Sequence, residues 1–333
     1  MQMLMAGDIG GTKTTLALFS PEKGPRDPLK RSSYPSRSYA SLQDMLAEFI
    51  ADGKGTIDAA VFGVAGPVLG GSARITNLPW TIDVDPLASM LGTGDVRLLN
   101  DLEAVALGIP LLTGKDLHTL NAGRPEPAGP IAVIAPGTGL GQAYLTWDGN
   151  RYRAHASEGG HADFAPRTSR QADLLAYLLE RYDHVSFERV CSGSGIPNIY
   201  AFLKERCGLE EPAWLAETLR DAPDPTVVIR ETAQDPVRTC DLCRETMRMF
   251  VAVLGAETGN LALKLLPTGG VYVAGGLPPR MLPMLEEGLF LEAFRTKGRL
   301  CTIVARMPVH VVLNTDIGLI GAAGYGMDMH HNR

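Results

Sequence analysis

The chain has 333 residues, of which 45% are hydrophobic and 20% charged, and its formal net charge is −6. This length suggests about two domains, with enough chain to bury a substantial core. The acidic balance argues against a broad surface for nucleic acid or for an anionic membrane. It does not exclude an anionic ligand such as ATP, because backbone N–H groups and Mg²⁺ can hold phosphate without a basic patch.

The first residues and the cysteines bear on the cellular compartment. The N-terminal residues include no basic segment, and Asp8 ends their apolar run early, which is not the pattern of a signal peptide. No stretch approaches the roughly 18 apolar residues that a membrane span needs. The 5 cysteines, an odd number in a long chain, suit reduced thiols. We therefore expect a cytoplasmic protein with no membrane partner.

Hydrophobic periodicity and turn residues predict alternating strands and helices in the first third of the chain. Residues 21–38 are rich in Pro, Arg and Ser and predict a loop. A helix is predicted over 42–50, and strands are predicted over 4–9, 14–19, 57–64 and 96–99. The last of these strands leads into Asn100-Asp101 and a second helix, which Gly108 and Pro110 end.

A second strand–turn–strand unit, over 131–147, echoes the first and forms a weak internal repeat. After residue 170 helical patterns dominate, with helices predicted over 172–182, 197–204 and 241–266 and a buried strand over 271–274. Small residues over 318–325 predict a last helix that could pack back on the first lobe. We predict a small α/β lobe from residues 1–110 and 317–333, and a large α/β lobe from residues 111–316.

The glycine turn after the first strand is a candidate phosphate site. Glycine in Gly10-Gly11-Thr12 lets the backbone approach a phosphate and adopt positive φ, and Thr12 adds a hydroxyl. It is not a Walker A loop, because the chain continues as a strand rather than a helix. An ordinary hairpin turn is the alternative. Asp8, beside the turn, is a candidate for holding Mg²⁺ through water, although a lone Asp is more often a turn residue.

Two further glycine turns follow predicted strands. Gly137-Thr138-Gly139 has the same ambiguity between a hairpin turn and a phosphate site, and Gly275-Gly276 follows the buried strand over 271–274. The combination favours function over a structural turn. Three glycine turns at strand ends suit an ATP cleft between two lobes.

Asn100-Asp101 ends an apolar strand and begins a helix. Ligands of α/β folds bind beyond the carboxyl ends of strands. A helix N-terminus also favours the carboxylate form, so we expect Asp101 to be ionised and able to accept a proton. Asn and Asp are common N-caps as well, and the two roles are compatible.

Glu158-Gly159-Gly160-His161 places an acid and an imidazole across a flexible turn. Such a pair can bind vicinal hydroxyls, because the carboxylate accepts hydrogen bonds and the imidazole donates or accepts them. A surface loop with an incidental histidine is the alternative. Zinc is a poor interpretation, since no cysteine cluster completes a site. Glu188, farther along, is by default a solvated glutamate at a helix end.

Seven segments, in the right order, resemble the bacterial glucokinase family of the hexokinase–actin–Hsp70 superfamily, and they cover nearly the whole chain. They are residues 7–12, 75–80, 99–101, 137–141, 158–166, 188–193 and 274–276. The resemblance implies two ribonuclease-H-like lobes around a cleft for ATP and sugar, and often a homodimer. It also implies that the enzyme phosphorylates the 6-hydroxyl of glucose.

The resemblance assigns roles to individual residues. Asp101 would be the general base on the sugar 6-hydroxyl. Phosphates would lie on the turns at Gly10-Gly11-Thr12 and Gly137-Thr138, and the adenosine near Gly275-Gly276. The other sugar hydroxyls would be held by Asn100, Glu158, His161 and Glu188.

Some features depart from the family pattern. Lys13 stands where relatives often carry Asn, and Ala135-Pro136 precedes the second turn where glycine is frequent. The cysteine cluster of ROK sugar kinases is missing from the sequence. Alternatives are a kinase for another hexose or an N-acetylhexosamine, an actin-like or Hsp70-like ATPase module, and a sugar-sensing regulator without turnover.

Overall fold

The computed structural model describes residues 3–51, 56–75 and 78–331. Contacts divide the chain into two compact units. Unit 1 is drawn from Met1–Asp116, Ala143–Ala156 and Asn314–Arg333, and unit 2 from Leu117–Gln142 and Ser157–Leu313. The lobe boundaries derived from the sequence stay a prediction.

Strands and helices alternate along the chain, as expected for an α/β protein. The strands are β1 (Met3–Ile9), β2 (Lys13–Phe19), β3 (Lys30–Pro35), β4 (Ile57–Val64), β5 (Val68–Leu69), β6 (Ser72–Arg74), β7 (Thr81–Asp83), β8 (Val96–Asn100), β9 (Leu117–Asn121), β10 (Ile131–Pro136), β11 (Leu140–Trp147), β12 (Tyr152–Ser157), β13 (Gly270–Val273) and β14 (Val309–Val312). The helices are α1 (Leu42–Ile50), α2 (Val84–Leu91), α3 (Asp101–Gly108), α4 (Ser169–Leu179), α5 (Ile196–Glu205), α6 (Ala213–Asp221), α7 (Pro225–Gln234), α8 (Asp241–Leu265), α9 (Leu282–Glu286), α10 (Leu289–Arg295), α11 (Cys301–Val304) and α12 (Ile317–His331). The strands and helices predicted from hydrophobic periodicity are confirmed to within a few residues.

The main sheet of unit 1 has the strand order β3-β2-β1-β4-β8. β1, β2 and β3 pair antiparallel in succession, whereas β4 is parallel to both β1 and β8. The register aligns Ile9 of β1 with Val64 of β4, and Val64 with Asn100 of β8. The carboxyl ends of β1, β4 and β8 therefore lie together at one edge of the sheet.

Both faces of this sheet are covered, because side chains of a strand point alternately to opposite faces. On β1, Leu4 and Ala6 join the buried cluster that contains residues of α12. Met5 and Ile9 join the cluster that contains residues of α1 and α2. With both faces occupied by the core, the end of the sheet is the place for ligand-binding groups.

The prediction of a loop over residues 21–38 is wrong for its second half, because Lys30–Pro35 forms the strand β3. β3 pairs with β2 at the edge of the sheet, and its side chains alternate between partly buried and exposed. An edge strand of this kind is held by its backbone and by side-chain hydroxyls such as that of Ser33, 3.1 Å from Thr15 Oγ1. It therefore lacks the apolar alternation on which the sequence prediction relied.

The C-terminal helix α12 packs on α3, β1 and β4, all in unit 1. Glycine makes the approach of α12 to α3 possible. A Cβ on Gly321 would overlap the carbonyl oxygen of Ala104 and lie 2.6 Å from the amide nitrogen of Gly108. A Cβ on Gly108 would lie 2.5 Å from the carbonyl oxygen of Ile317. The last helix predicted from small residues is thus confirmed, and its small residues allow backbone-to-backbone contact.

A second large sheet has the order β12-β11-β10-β13-β14-β9. β13 is parallel to β10 and to β14, and β9 pairs antiparallel with β14. Its first five strands repeat the arrangement of the other sheet, in which three successive strands are followed by two strands reached through helices. The repeat suggested by the two strand–turn–strand units thus extends to the order of the strands.

The core of unit 2 surrounds α8, a helix of 25 residues. Its buried side chains include Met247, Phe250, Leu254 and Leu261. A helix that is apolar around most of its circumference belongs inside a domain. Over the described ranges, the structure has no helix with the length and hydropathy needed to cross a bilayer.

Candidate active site

The first glycine turn joins β1 to β2, and it is closed by a hydrogen bond of 3.1 Å from the Gly10 amide to the Lys13 carbonyl. A Cβ on Gly10 would lie 2.9 Å from that carbonyl. Glycine is required here for space, and the expected positive φ is not found at Gly10. Thr12 is exposed at the tip of the turn, so the turn offers backbone and hydroxyl groups to a ligand.

Ser36, which the sequence analysis missed, supports this turn. Its hydroxyl donates to the Gly10 carbonyl at 2.7 Å, and its amide donates to the Thr12 carbonyl at 3.0 Å. The Ser36 hydroxyl also lies 2.9 Å from Thr14 Oγ1, and both side chains are fully buried. The end of the edge strand β3 therefore fixes the shape of the Gly10 turn.

Asp8, the candidate Mg²⁺ residue, is partly buried near the end of β1. Burial and, secondarily, the negative charge of Asp316 raise the pKa of Asp8 to about 6, against a partial lowering by Lys13. Asp316 is itself paired with Arg31 at 2.6 Å. Carboxylate oxygens are the protein ligands that Mg²⁺ prefers, and a bound cation would relieve the cost of ionising Asp8. Asp8 therefore fits the ion as a single carboxylate ligand.

The raised pKa makes a prediction for stability. Because Asp8 takes up a proton more readily in the folded state than in the unfolded chain, its ionisation costs stability from about pH 3.8 upward, and the full cost is reached above about pH 6. Asp8→Asn is therefore expected to raise the free energy of unfolding by about 1–3 kcal/mol at pH 7.5, with a gain that vanishes near pH 4. Urea unfolding at several pH values measures this difference.

Asp85→Asn is the matched control, because it removes the same charge from an exposed position. A gain for Asp8→Asn that stays constant from pH 4 to pH 7.5 would contradict the raised pKa.

Asp101 begins α3 directly after β8. The Leu102 amide donates to Asn100 Oδ1 at 3.0 Å and to Asp101 Oδ1 at 2.9 Å, so both residues contribute to the helix cap. Asn100 Nδ2 also donates to the Gly66 carbonyl at 3.2 Å, which ties the cap to the chain after β4. The capping role is thus present, and Asp101 remains partly exposed beside it. Its place at a helix N-terminus favours the ionised form.

Asp101 and the Gly10 turn lie at the same edge of one sheet. Ile9, Val64 and Asn100 are aligned across three neighbouring parallel strands, and two strand spacings amount to roughly 10 Å. An alcohol beside Asp101 and a phosphate on the Gly10 turn would therefore be neighbours.

In unit 2, the turn between β10 and β11 is also closed on itself, with the Gly137 amide donating to the Gly139 carbonyl at 2.9 Å. The carbonyls of Gly137 and Thr138 accept from the amides of Gly193 and Ser194 at 2.8 and 3.1 Å. A Cβ on Gly137 would meet no atom within 4 Å. The turn is braced from one side by the 193–194 segment, and it presents its glycine to open space.

Glu188 is joined to the start of β11. The Leu140 amide donates to Glu188 Oε2 at 2.8 Å, and a Cβ on Gly139 would lie 2.5 Å from the same oxygen. A Cβ on Gly160 would overlap the Leu140 carbonyl oxygen and lie 3.0 Å from its carbon. The start of β11 thus brings Glu188 and the Glu158–His161 segment, two of the predicted sugar-binding elements, to one place.

Glu158 and His161 are exposed, with 76% and 59% of their side chains accessible. Glu158 Oε2 and His161 Nε2 are 3.9 Å apart, and the His161 amide donates to the Glu158 carbonyl at 2.9 Å. The backbone between them is packed while the two side chains project into solvent. This arrangement suits binding of an external polyol.

Gly275 lies where the carboxyl ends of the parallel strands β10 and β13 meet. Its φ is +90°, and a Cβ would lie 2.6 Å from the Pro136 carbonyl oxygen. Leu277 also directs its amide to that carbonyl, at 3.4 Å. Here both the left-handed conformation and the close approach require glycine. Gly275, Gly276 and the Gly137 turn accordingly share one edge of the second sheet.

Two further observations complete the site. Within the described part of the chain, no group of three or more His, Cys, Asp and Glu side chains is placed to hold a metal. Thr76 and Asn77, part of the 75–80 motif, lie outside the described residues.

Comparison with known proteins identifies the family. The glucokinase family model matches residues 5–329. A glucokinase of Nostoc sp. is 43% identical, over 97% of this chain and 98% of the relative. The crystal structure of a glucokinase from an Antarctic psychrotroph is 30% identical with a TM-score of 0.81, covering 99% of both chains.

A glucokinase from Balamuthia mandrillaris, solved in complex with glucose, is 21% identical with a TM-score of 0.83, over 98% of this chain and 94% of that one, and shows the same fold. The chain belongs to the glucokinase family. The family predicted from the seven sequence segments is confirmed, and the fold is that of the sugar kinases. The roles of individual site residues stay predictions.

Proposed function

We propose that this protein is a glucokinase, an ATP-dependent hexose kinase that converts glucose and ATP to glucose 6-phosphate and ADP. Family membership supports the reaction. The observation that carries the residue assignment is the alignment of the Gly10 turn and Asp101 at one sheet edge. A carboxylate beside an alcohol and a backbone cradle for a phosphate are the two elements that phosphoryl transfer to a hydroxyl requires.

In the proposed mechanism, the sugar O6 attacks the γ-phosphorus in line with the bond to the leaving ADP oxygen. The O6–P bond forms, the bond between the γ-phosphorus and the β,γ-bridging oxygen breaks, and the O6 proton passes to the carboxylate of Asp101. The Leu102 amide, which also donates to Asn100 Oδ1, holds the carboxylate of Asp101 in place. Catalysis then depends mainly on positioning and on charge stabilisation.

The residues proposed to bind the sugar are those assigned from the family resemblance. Glu158, His161 and Glu188 hold the remaining hydroxyls together with Asn100. The Glu188 carboxylate is fixed by the Leu140 amide, whereas Glu158 and His161 are exposed side chains on a packed backbone. Two carboxylates, an amide and an imidazole together offer acceptors and donors, which suits hydroxyls that can both donate and accept.

The nucleotide lies on the glycine turns. The turns at Gly10-Gly11-Thr12 and Gly137-Thr138 would hold phosphates through backbone N–H groups and hydroxyls, and the adenosine would lie near Gly275-Gly276. Asp8 would hold Mg²⁺ through water. Bound with ATP, the ion would neutralise negative charge on the β- and γ-phosphates.

The finer architecture belongs to the same proposal. The repeated strand order supports two ribonuclease-H-like lobes, and the family resemblance implies that ATP and sugar would bind in a cleft between them. Closure of the lobes would exclude water and limit ATP hydrolysis. A cytoplasmic homodimer is expected as well, and sedimentation of the purified protein tests the dimer.

A coupled assay of ADP release over glucose, mannose, fructose and N-acetylglucosamine tests the function. We expect ADP release that depends on sugar, with the highest kcat/KM for glucose. A clear preference for another sugar would change the substrate while leaving the chemistry intact. ATP hydrolysis indifferent to every sugar would favour an actin-like or Hsp70-like ATPase, and ATP and polyphosphate compared as donors would establish the nucleotide dependence.

A further inference from the structure

A polar network lies buried inside unit 2, beneath the segment that carries Glu158 and His161. Its centre is Glu257 of α8, whose side chain is fully buried. Glu257 Oε1 accepts from Gln142 Nε2 at 2.8 Å, and Glu257 Oε2 accepts from Asn260 Nδ2 at 3.0 Å. Gln142 itself is 2% exposed. A buried carboxyl is costly unless it is fully hydrogen-bonded, so the network needs a reason beyond stability.

Lys297 determines which groups of the network donate hydrogen bonds and which accept them. Its ammonium group donates to Asn260 Oδ1 at 2.5 Å and to the Ala256 carbonyl at 2.8 Å. Because an ammonium group can only donate, Asn260 must turn its oxygen to Lys297 and its NH₂ to Glu257. Burial and, secondarily, the positive charge of Arg167 lower the pKa of Lys297 to about 8, against a partial raising by the charge of Glu257.

Glu257 in turn determines the orientation of the side-chain amide of Gln142. With both of its oxygens accepting, Glu257 requires the NH₂ of Gln142 and leaves Gln142 Oε1 on the other side. That oxygen lies against Gly159, where a Cβ would overlap it and lie 2.9 Å from Gln142 Cδ. The ordered chain of groups therefore ends on the backbone between Glu158 and His161.

We infer that Glu257 is a positioning residue for sugar binding: it holds Gln142 in the one orientation that seats Gly159 and so places Glu158 and His161. The inference rests on the proposed function. It explains why both Gly159 and Gly160 lack side chains, since the segment sits directly on Gln142 and Leu140 of β11. Glu257 contacts no reacting atom and acts through Gln142.

Glu257→Gln is the first test. The NH₂ group that this substitution introduces would face the NH₂ group of either Gln142 or Asn260, and two donors cannot pair. Because Lys297 holds the orientation of Asn260, the side-chain amide of Gln142 must rotate. The expected result is a KM for glucose raised about 10- to 100-fold, with the KM for ATP unchanged and kcat within about threefold. Gln142→Met, which keeps the volume and removes both polar atoms, is expected to have the same effect.

Thr258→Val is the matched control. Thr258 is the next residue of α8, is fully buried and donates only to the Leu254 carbonyl, at 2.7 Å. This variant loses a buried hydrogen bond of the same helix outside the network, so its KM for glucose is expected to stay at the wild-type value. Thermal melting of all variants reports any general loss of stability.

The double variant Gln142→Glu/Glu257→Gln reverses the hydrogen bond, since residue 257 then donates and residue 142 accepts. We expect Gln142→Glu alone to raise the KM for glucose, because two carboxylates would face each other, and the double variant to restore it to within about threefold of the wild type.

An unchanged KM for glucose in Glu257→Gln would overturn the inference, as would equal rises in the KM values for glucose and ATP, or a double variant no better than Gln142→Glu. The proposed function is tested separately, on the wild-type protein. If that protein shows no sugar-dependent ADP release, the proposed function fails and the inference falls with it.

Discussion

Asp101→Asn is expected to lower kcat by about 10²- to 10⁴-fold, the usual contribution of a positioned general base. The KM for glucose should change much less, because an amide oxygen can still accept a hydrogen bond from the sugar. The fold should survive, since Asn100 Oδ1 also accepts from the Leu102 amide and asparagine is itself a good cap. Steady-state kinetics with glucose and ATP measure both quantities.

Glu103→Gln provides the control for Asp101→Asn. Glu103 lies two residues along α3, and its carboxyl is also partly buried, with a pKa raised chiefly by that burial. The substitution removes a carboxyl of the same helix turn but keeps an oxygen that can accept from the Asn100 amide, so kcat should remain near the wild-type value. An Asp101→Asn enzyme with near-normal turnover would refute the base assignment.

Gly321→Ala is expected to destabilise the protein by about 3 kcal/mol or more, which is at the upper end for overpacking. The added methyl group would overlap the Ala104 carbonyl oxygen and lie 2.6 Å from the Gly108 amide nitrogen. Both are backbone atoms, which cannot rotate away as a side chain can, so α12 and α3 would have to separate. Urea unfolding measures the loss.

Gly318→Ala, in the same helix, is the matched substitution. There the nearest atoms to an added Cβ are 3.4 Å and farther away, at ordinary contact distance. Since alanine is favoured over glycine in helices, this variant should be neutral or more stable. Equal unfolding midpoints for Gly318→Ala and Gly321→Ala would contradict the prediction that a methyl group at residue 321 strains the contact between α12 and α3.

The sequence predicted best what depends on local pattern. The strand before Asn100-Asp101 was visible because apolar residues end at a polar pair, and α8 because its apolar residues recur at helical spacing over 25 residues. The glycine turns were visible because glycine interrupts two apolar runs. The order of seven such features was enough to predict the family, which the comparisons confirmed.

Features that depend on pairing across the fold could not be predicted. β3 is held by backbone pairing with β2 and has no apolar alternation that would predict a strand. Ser36 directly follows β3, in the segment predicted as a loop, and no pattern marked it. Gln142 and Glu257 are separated by 115 residues, and neither stands in a motif. The role of glycine was also only partly foreseen, because Gly10 is required for space whereas Gly275 is required for its positive φ as well.

The position of α12 has a consequence for how the protein is made on the ribosome. Unit 1 draws its core from both chain ends, with Leu4 and Val61 clustered against Leu319 and Ala323. During synthesis these early strands emerge long before α12, so one face of their sheet stays uncovered until α12 has emerged. Residues 157–313 can meanwhile assemble around α8. The nascent chain therefore acquires its proposed catalytic base early, and completes the scaffold that holds this base only when α12 is available.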